Sequence, residues 1–142
     1  MRVIFATDNS IPSLLIRFFT WSRWHHCGVV TSDGKYVIEA TFKHGVVKTP
    51  LTDFKARYKK TAIKNVPSIF SNWEDMAHKQ LGKDYDIKAV IAIFFRGSWH
   101  DDNKWFCSEL VGDLSGMFRR DRNMRVTPEH CYMISKAISN QE

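Results

Sequence analysis

The sequence lacks the features that define several large classes of protein. It has only three cysteines (Cys27, Cys107 and Cys131) and no CxxC pair, which argues against a disulfide framework or a zinc ribbon. The longest apolar run, Ala89–Phe95, has seven residues and is too short to span a bilayer, and the chain does not begin with a signal-type apolar stretch. Repeats and Gly/Ser-rich linkers are also missing. These absences predict one cytoplasmic domain, residues 1–142, with reduced thiols and no transmembrane segment.

The composition is that of a folded domain with a basic surface. Hydrophobic residues make up 44% of the 142 residues, including ten Phe and five Trp, which excludes an intrinsically disordered chain. Lys and Arg number 21 against 15 Asp and Glu, which gives a net charge of +6. This charge favours contact with nucleic acid, anionic membranes or cell-wall polymers, although an ordinary solvated surface explains it as well.

The order of apolar and turn-forming residues predicts an α+β domain. Ser10 is placed to cap a helix on which Leu14, Leu15, Phe18 and Phe19 follow at the spacing of one face. The run Ile87–Phe95 fits a buried helix or a buried strand equally well. The other expected strands are residues 3–6, Trp24–Thr31, Tyr36–Ala40, Val46–Lys48 and Thr61–Val66, and the other expected helices are Trp73–Leu81, Cys107–Phe118 and Thr127–Ser139.

Cys107 is the candidate nucleophile because it begins an apolar-periodic helix, with Leu110, Val111, Leu114 and Met117 on its inner face. The unpaired N–H groups and the positive dipole end of a helix start favour thiolate over thiol. Cys27 and Cys131 have no such surroundings, so the pKa of each is expected to be ordinary (about 8.5) or higher, and Cys131 is expected to pack as a small hydrophobic residue. We therefore expect Cys107 to have a lowered pKa and to lie in an open cleft.

The geometry of a predicted hairpin indicates which histidine is the candidate base. Ser32–Lys35 contains Asp-Gly between two β-rich runs, a strong hairpin signal, and a two- or four-residue loop places Gly28 opposite Glu39. His26 then shares a face with Glu39, within reach of its carboxylate, while His25 and Cys27 point to the other face, away from the site. A three-residue loop would instead bring His25 onto the face of Glu39. A carboxylate that orients a histidine beside a thiol is the arrangement of a cysteine triad.

Four short motifs resemble the circularly permuted branch of the NlpC-type papain-like cysteine peptidases. Gly82–Asp86 (GKDYD) and Cys107–Val111 (CSELV) resemble the family motifs G-x-x-Y and C-S-x-L-V. Trp24–Val30 (WHHCGVV) resembles the H-x-G strand, and Val37–Val46 resembles the strand of the third polar residue. The histidine strand precedes the cysteine helix, as it does in the permuted branch. The similarity runs from about residue 10 to residue 130.

The resemblance implies a fold and a set of roles. The fold would be α+β and permuted papain-like, with an antiparallel sheet packed against the helix that carries the cysteine. Cys107 would be the nucleophile, His26 the base and Glu39 the residue that orients the base. Tyr85 would lie near the oxyanion and the substrate. The resemblance implies no cofactor.

Two other kinds of site are disfavoured. Neighbouring strand residues diverge to opposite faces, so His25, His26 and Cys27 cannot together hold one ion, and the sequence has no HExxH; we expect no metal. Lys55–Lys60 (KARYKK) interleaves an aromatic ring with cations, as grooves for single-stranded nucleic acid do, but no recognition motif accompanies it. We interpret it as a basic strand edge and expect no specific nucleic-acid partner.

The sequence therefore predicts a cysteine hydrolase that cleaves an amide bond through a thioester on Cys107. The resemblance implies a peptide or a peptidoglycan fragment as the substrate, and a bacterium or a phage is the expected source. Two alternatives stay open. One is a lipid-amide hydrolase or acyltransferase on the same fold, and the other is a non-catalytic basic binding module.

Overall fold

The computed structural model describes residues 1–85, 104–118 and 126–139, and the run Ile87–Phe95 lies outside these residues. No helix among them is long and apolar enough to cross a membrane. The strands in these ranges are β1 (Arg2–Thr7), β2 (His26–Val30), β3 (Tyr36–Thr41), β4 (Gly45–Pro50), β5 (Lys60–Asn65), β6 (Asp84–Tyr85) and β7 (Lys104–Trp105). The helices are α1 (Ile11–Thr20), α2 (Leu51–Arg57), α3 (Trp73–His78), α4 (Cys107–Ser115) and α5 (Pro128–Ser139).

Five antiparallel strands form the main sheet in the order β4-β3-β2-β1-β5. Val29 pairs with Ile38 and Val30 with Val37, so the predicted hairpin register is confirmed and Gly28 lies opposite Glu39. The space above Gly28 is filled: a Cβ there would lie 2.6 Å from Val37 Cγ1 and 3.1 Å from Glu39 Cβ. Glycine is needed at this position because the neighbouring strand approaches so closely.

The two faces of the sheet bury different side chains, because side chains alternate along each strand. The larger cluster packs β-strand residues against α3, α4 and α5; its members include Val3, Phe5, Cys27, Val29, Ile38, Ala77, Leu110, Leu114 and Cys131. The smaller cluster, on the opposite face, is covered by α2; its members are Ile4, Ala6, Val30, Val37 and Phe54. The predicted α+β fold, with an antiparallel sheet against the cysteine-bearing helix, is confirmed.

The boundaries of the cysteine-bearing helix differ from the prediction at one end. Leu110, Val111 and Leu114 are buried as expected. The helix ends at Ser115, because Gly116 takes the left-handed conformation with a φ of 65°. Met117 lies beyond this end and is exposed, so its placement on the inner face was wrong.

Helix α2 was not predicted, and it changes the interpretation of the basic stretch Lys55–Lys60. Lys55 and Arg57 belong to this helix rather than to a strand. Lys60 begins β5, which is an edge strand of the main sheet. The interpretation as a basic strand edge is therefore right only for the end of the stretch.

A close backbone contact holds the short strand β6 against β4. The Val46 N–H donates to the Lys83 carbonyl at 2.8 Å, and the Gly82 N–H donates to the Val46 carbonyl at 2.9 Å. Gly45 has a φ of 66°, and a Cβ there would lie 2.1 Å from the Lys83 oxygen. Tyr85 also pairs with Trp105, which lies two residues before α4 in the sequence. These two contacts hold Tyr85 close to the start of α4.

Candidate active site

Cys107, His26 and Glu39 meet at the end of the sheet where β2 and α4 begin. His26 is the first residue of β2 and Cys107 the first residue of α4. The Cys107 thiol and the His26 ring share a hydrogen bond. Nε2 of His26 lies 2.7 Å from Glu39 Oε2. Since Nε2 is engaged by the carboxylate, Nδ1 is the ring nitrogen that is available to the sulfur.

Cys107 and the His26 ring come from opposite faces of the sheet. Cys107 belongs to the core cluster that contains Cys27, whereas the His26 ring stacks against Phe54 of α2 on the other face. The Cys27 thiol also hydrogen-bonds to Cys107. The prediction that Cys27 points away from the site was therefore wrong. Strand alternation was correctly applied, but α4 packs on the face of Cys27, and His26 reaches the sulfur because it stands at the end of its strand.

The surroundings of Cys107 stabilise its thiolate. Burial alone would raise the pKa of this thiol, but hydrogen bonds from the Cys27 thiol and backbone, with the charge and hydrogen bond of His26, hold that pKa well below its ordinary value. The start of α4 adds the positive end of a helix dipole. In contrast, burial raises the pKa of Cys27 and of Cys131. Cys107 is thus the cysteine with nucleophilic character.

His26 is positioned to be a cation at neutral pH. Burial alone would lower the pKa of its ring, but the negative charge and hydrogen bond of Cys107, followed by those of Glu39, raise this pKa from 6.5 to about 9. The resting site is therefore a thiolate–imidazolium pair. Such a pair supplies a nucleophile and a proton donor together.

Glu39 is a fully buried carboxylate with three partners. In addition to His26, Glu39 has two partners: the Thr49 hydroxyl donates to Oε1 at 2.7 Å, and the Arg57 guanidinium forms an ion pair with the same oxygen. Burial alone would raise the pKa of Glu39, but the hydrogen bond and charge of His26, then the hydrogen bonds of Thr49 and Arg57, lower it. The carboxylate is therefore ionised and held in one orientation toward His26.

Helix α2 supplies contacts that the sequence analysis missed. Phe54 and Tyr58 place their rings 5.8 Å and 5.7 Å from the His26 ring, and the Arg57 guanidinium lies over both aromatic rings. These contacts restrict rotation of the imidazole. The available signal was the spacing of Leu51, Phe54 and Tyr58 directly after Pro50, which is the apolar spacing of a short helix.

His25 has a different environment from His26. Its Nδ1 lies 2.9 Å from Ser13 Oγ, and its Nε2 lies 3.9 Å from an Asp8 oxygen. Burial and the positive charge of His26 lower the pKa of His25. His25 is thus neutral at neutral pH and connects α1 to the edge of the site.

Tyr85, which the resemblance places near the oxyanion and the substrate, is close enough to Cys107 for the charge of the thiolate to act on its hydroxyl. Burial and the negative charge of Cys107 raise the pKa of its hydroxyl, so this group stays protonated. Its ring lies 6.0 Å from Phe42 and 6.1 Å from Phe106. Cys107 is only 1% exposed, so the expectation of an open cleft was wrong.

Replacing Glu39 by glutamine should lower turnover, but by less than Glu39→Ala does. An amide keeps a hydrogen-bonding oxygen for the ring, although it loses the charge that raises the pKa of His26. We expect a loss of about tenfold for Glu39→Gln and about a hundredfold for Glu39→Ala, the usual range for a residue that supports a reacting group. Steady-state kcat at neutral pH is the measurement. Full activity in Glu39→Gln would show that the charge of the carboxylate is not needed for turnover.

Comparison with known proteins gives a matching family model and a related crystal structure. A family model described as permuted papain-like amidase enzyme, YaeF/YiiX, C92 family, matches residues 2–133. The crystal structure of the metalloprotein yiiX from Escherichia coli O157:H7 is 28% identical, with a TM-score of 0.61 over 80% of this chain. The match covers 62% of that protein, so this chain spans less than two thirds of its length. No curated protein sequence matches.

Proposed function

The chain belongs to the permuted papain-like amidase family YaeF/YiiX, and we propose that it is a cysteine amidase or peptidase that uses Cys107, His26 and Glu39. The observation that carries this proposal is the contact of the Cys107 thiol with a histidine whose Nε2 lies 2.7 Å from a buried carboxylate. A thiol, a base and an orienting group in this arrangement are the requirements of nucleophilic acyl transfer.

The proposed reaction has two halves. The Cys107 thiolate attacks the carbonyl carbon of the amide, and a tetrahedral oxyanion forms. When the C–N bond breaks, His26 gives its proton to the departing nitrogen, which leaves as an amine, and a thioester remains on Cys107. Neutral His26 then takes a proton from water, and the resulting attack releases a carboxylic acid and returns the thiolate–imidazolium pair.

The oxyanion would form at the start of α4. Backbone N–H groups of the first helical turn have no partner within the helix, so the N–H of Cys107 can donate to the developing charge. The Tyr85 hydroxyl, protonated because its pKa is raised, is a second candidate donor. Both groups favour the tetrahedral state over the planar amide.

The related crystal structure is titled a metalloprotein, and this raises the question of a metal here. In residues 1–85, 104–118 and 126–139, no group of three or more His, Cys, Asp or Glu is arranged to hold an ion. The described residues thus do not fit a metal site, and the steps above are assigned to side chains and water alone.

The pH dependence follows from the two opposed pKa shifts. The thiolate is present above the lowered pKa of Cys107, and the imidazolium is present below the pKa of His26, which is about 9. We therefore expect kcat/KM to be nearly constant through neutral pH and to fall about tenfold per pH unit above 9. A profile of kcat/KM against pH measures this. A rate that keeps rising above pH 9 would contradict the ion-pair assignment.

The substrate class is proposed to be an amide of a peptide or a peptidoglycan fragment. The test is a panel of peptides, peptidoglycan fragments, lipid amides and acyl thioesters, with Cys107→Ala as the blank. Cleavage of the first two groups supports the proposal. Cleavage of lipid amides alone would move the substrate to a lipid. Binding of a polyanion that is salt-sensitive and unchanged in Cys107→Ala, with no turnover, would favour the binding module.

A further inference from the structure

Helix α1 carries most of its apolar side chains on the outside of the protein. Ser10 caps the helix as predicted, and its hydroxyl accepts from the Ser13 N–H. Leu14, Leu15, Phe18 and Phe19 do share a helical face, but that face is exposed. We define the outer face of α1 as Ile11, Leu14, Leu15, Phe18 and Trp21, of which Ile11 is 74%, Phe18 73% and Trp21 91% exposed.

The inner side of α1 is mostly polar, with Ser13, Arg17 and Thr20 beside a half-buried Ile16, which differs from the apolar inner face of an ordinary surface helix. Ser13, the one fully buried residue of the helix, donates to the Asp8 carbonyl at 3.0 Å and contacts His25. Thr20 Oγ1 donates to the Ile16 carbonyl. The outer face therefore exposes several large apolar side chains side by side, an arrangement that marks an interaction surface in folded proteins.

The charge around this face is positive. Residues 9–32 contain Arg17 and Arg23 and no Asp or Glu. Lys59 and Lys60 are exposed, and Lys60 pairs with Thr7, which precedes α1. Among the described residues, two acids border the helix: Asp8 accepts a hydrogen bond from Ser10 and lies near His25, and Glu129 pairs with Arg23. Over residues 1–65 the sequence has eleven Lys and Arg against four Asp and Glu.

We propose that the outer face of α1 docks onto an anionic membrane surface. A ten-residue helix is about 15 Å long, which suits an orientation parallel to the bilayer with apolar side chains in the headgroup region. Trp, Phe and Leu are typical of the apolar face of helices that lie in the membrane interface, and the basic rim is attracted to anionic lipid. A second copy is the less favourable occupant, since a symmetric contact brings together two faces with the same positive rim.

Docking through α1 would bring the candidate active site to the lipid surface. The inner side of α1 contacts His25 through Ser13, and the His25 and His26 ring centroids are 6.4 Å apart. The docking surface itself shares no residue with the proposed triad. Membrane binding can thus be measured apart from turnover, and one can fail without the other.

The test is sedimentation of the full chain with vesicles of phosphatidylcholine alone and of phosphatidylcholine mixed with phosphatidylglycerol. We expect binding to the mixed vesicles, and we expect it to weaken as salt is raised. Ile11→Asp should reduce the partition coefficient by about tenfold or more, because the membrane-bound protein would no longer bury the apolar side chain of Ile11 in the bilayer. Ile69→Asp is the matched control, since Ile69 is 65% exposed and lies against the far end of α4, near Gly116.

Two further variants provide an independent check of binding through the outer face of α1. Phe18→Asp repeats it at an exposed position of the same face should Ile11→Asp fail to fold. Trp21→Phe should still bind but lose most of the fluorescence blue shift that vesicles cause in the wild type.

The proposal is overturned if the wild type does not bind mixed vesicles, or if Ile69→Asp weakens binding as much as Ile11→Asp does. If the wild type does not bind vesicles but forms a dimer in sedimentation equilibrium, and Ile11→Asp is a monomer, the face would be assigned to a second copy instead.

Discussion

Replacing His26 by alanine is expected to lower kcat/KM by about a thousandfold or more, whereas His25→Ala should keep most of the activity. Removal of His26 eliminates the proton donor of acylation and the base of deacylation, which act as one unit with the thiol. His25 is neutral and hydrogen-bonded to Ser13, so its loss removes no reacting group. Kinetics of both variants on any substrate that the wild type cleaves provide the measurement.

Thermal unfolding of both variants is the control, because each histidine is packed against other rings. His25→Ala loses its contacts with Ser13 and Tyr58 and is expected to be less stable while still active. Equal losses of kcat/KM in two folded variants would show that His26 is not the specific base.

Cys107 is expected to react first with limiting iodoacetamide at about pH 6, by about a hundredfold over either other cysteine, because an ordinary thiol is then under about one per cent ionised. Its pKa is lowered, while burial raises the pKa of Cys27 and Cys131. All three thiols are buried, so exposure gives the other two no advantage. Peptide mapping by mass spectrometry after timed quenching measures the order.

His26→Ala should slow the labelling of Cys107, since the imidazolium that stabilises the thiolate is gone. Cys27→Ala should slow it by a smaller factor, because one hydrogen bond to the thiolate is lost while the ion pair remains. Faster labelling of Cys27 or Cys131 in the folded wild type would show that Cys107 is not the nucleophile.

The parts of the fold that were predictable depend on local chemistry. The Asp33-Gly34 turn sets the register of β2 and β3, and this register alone places His26 and Glu39 on one face. Ser10 marks the start of α1 through side-chain capping. The permuted order of motifs predicted the family to which the chain belongs.

The parts that escaped prediction depend on contacts between segments that are distant in sequence. Arg57 pairs with Glu39 only because α2 folds back over the sheet, and no pattern near Glu39 indicates it. Cys27 meets Cys107 because α4 packs on one face of β2, a choice that alternation along the strand does not determine. For α1, the spacing of apolar residues is the same whether the face is buried or exposed, so the sequence predicted the helix but not its orientation.

The measurement that tests the central claim most directly is intact-protein mass spectrometry of acid-quenched reactions with the amide and thioester panel. The account predicts a transient mass increase equal to the acyl group on wild-type Cys107, stable to acid and released by hydroxylamine, as a thioester is. Cys107→Ala should show neither the adduct nor turnover. Turnover at the wild-type rate in Cys107→Ala, or an acyl group carried on another residue, would contradict the account.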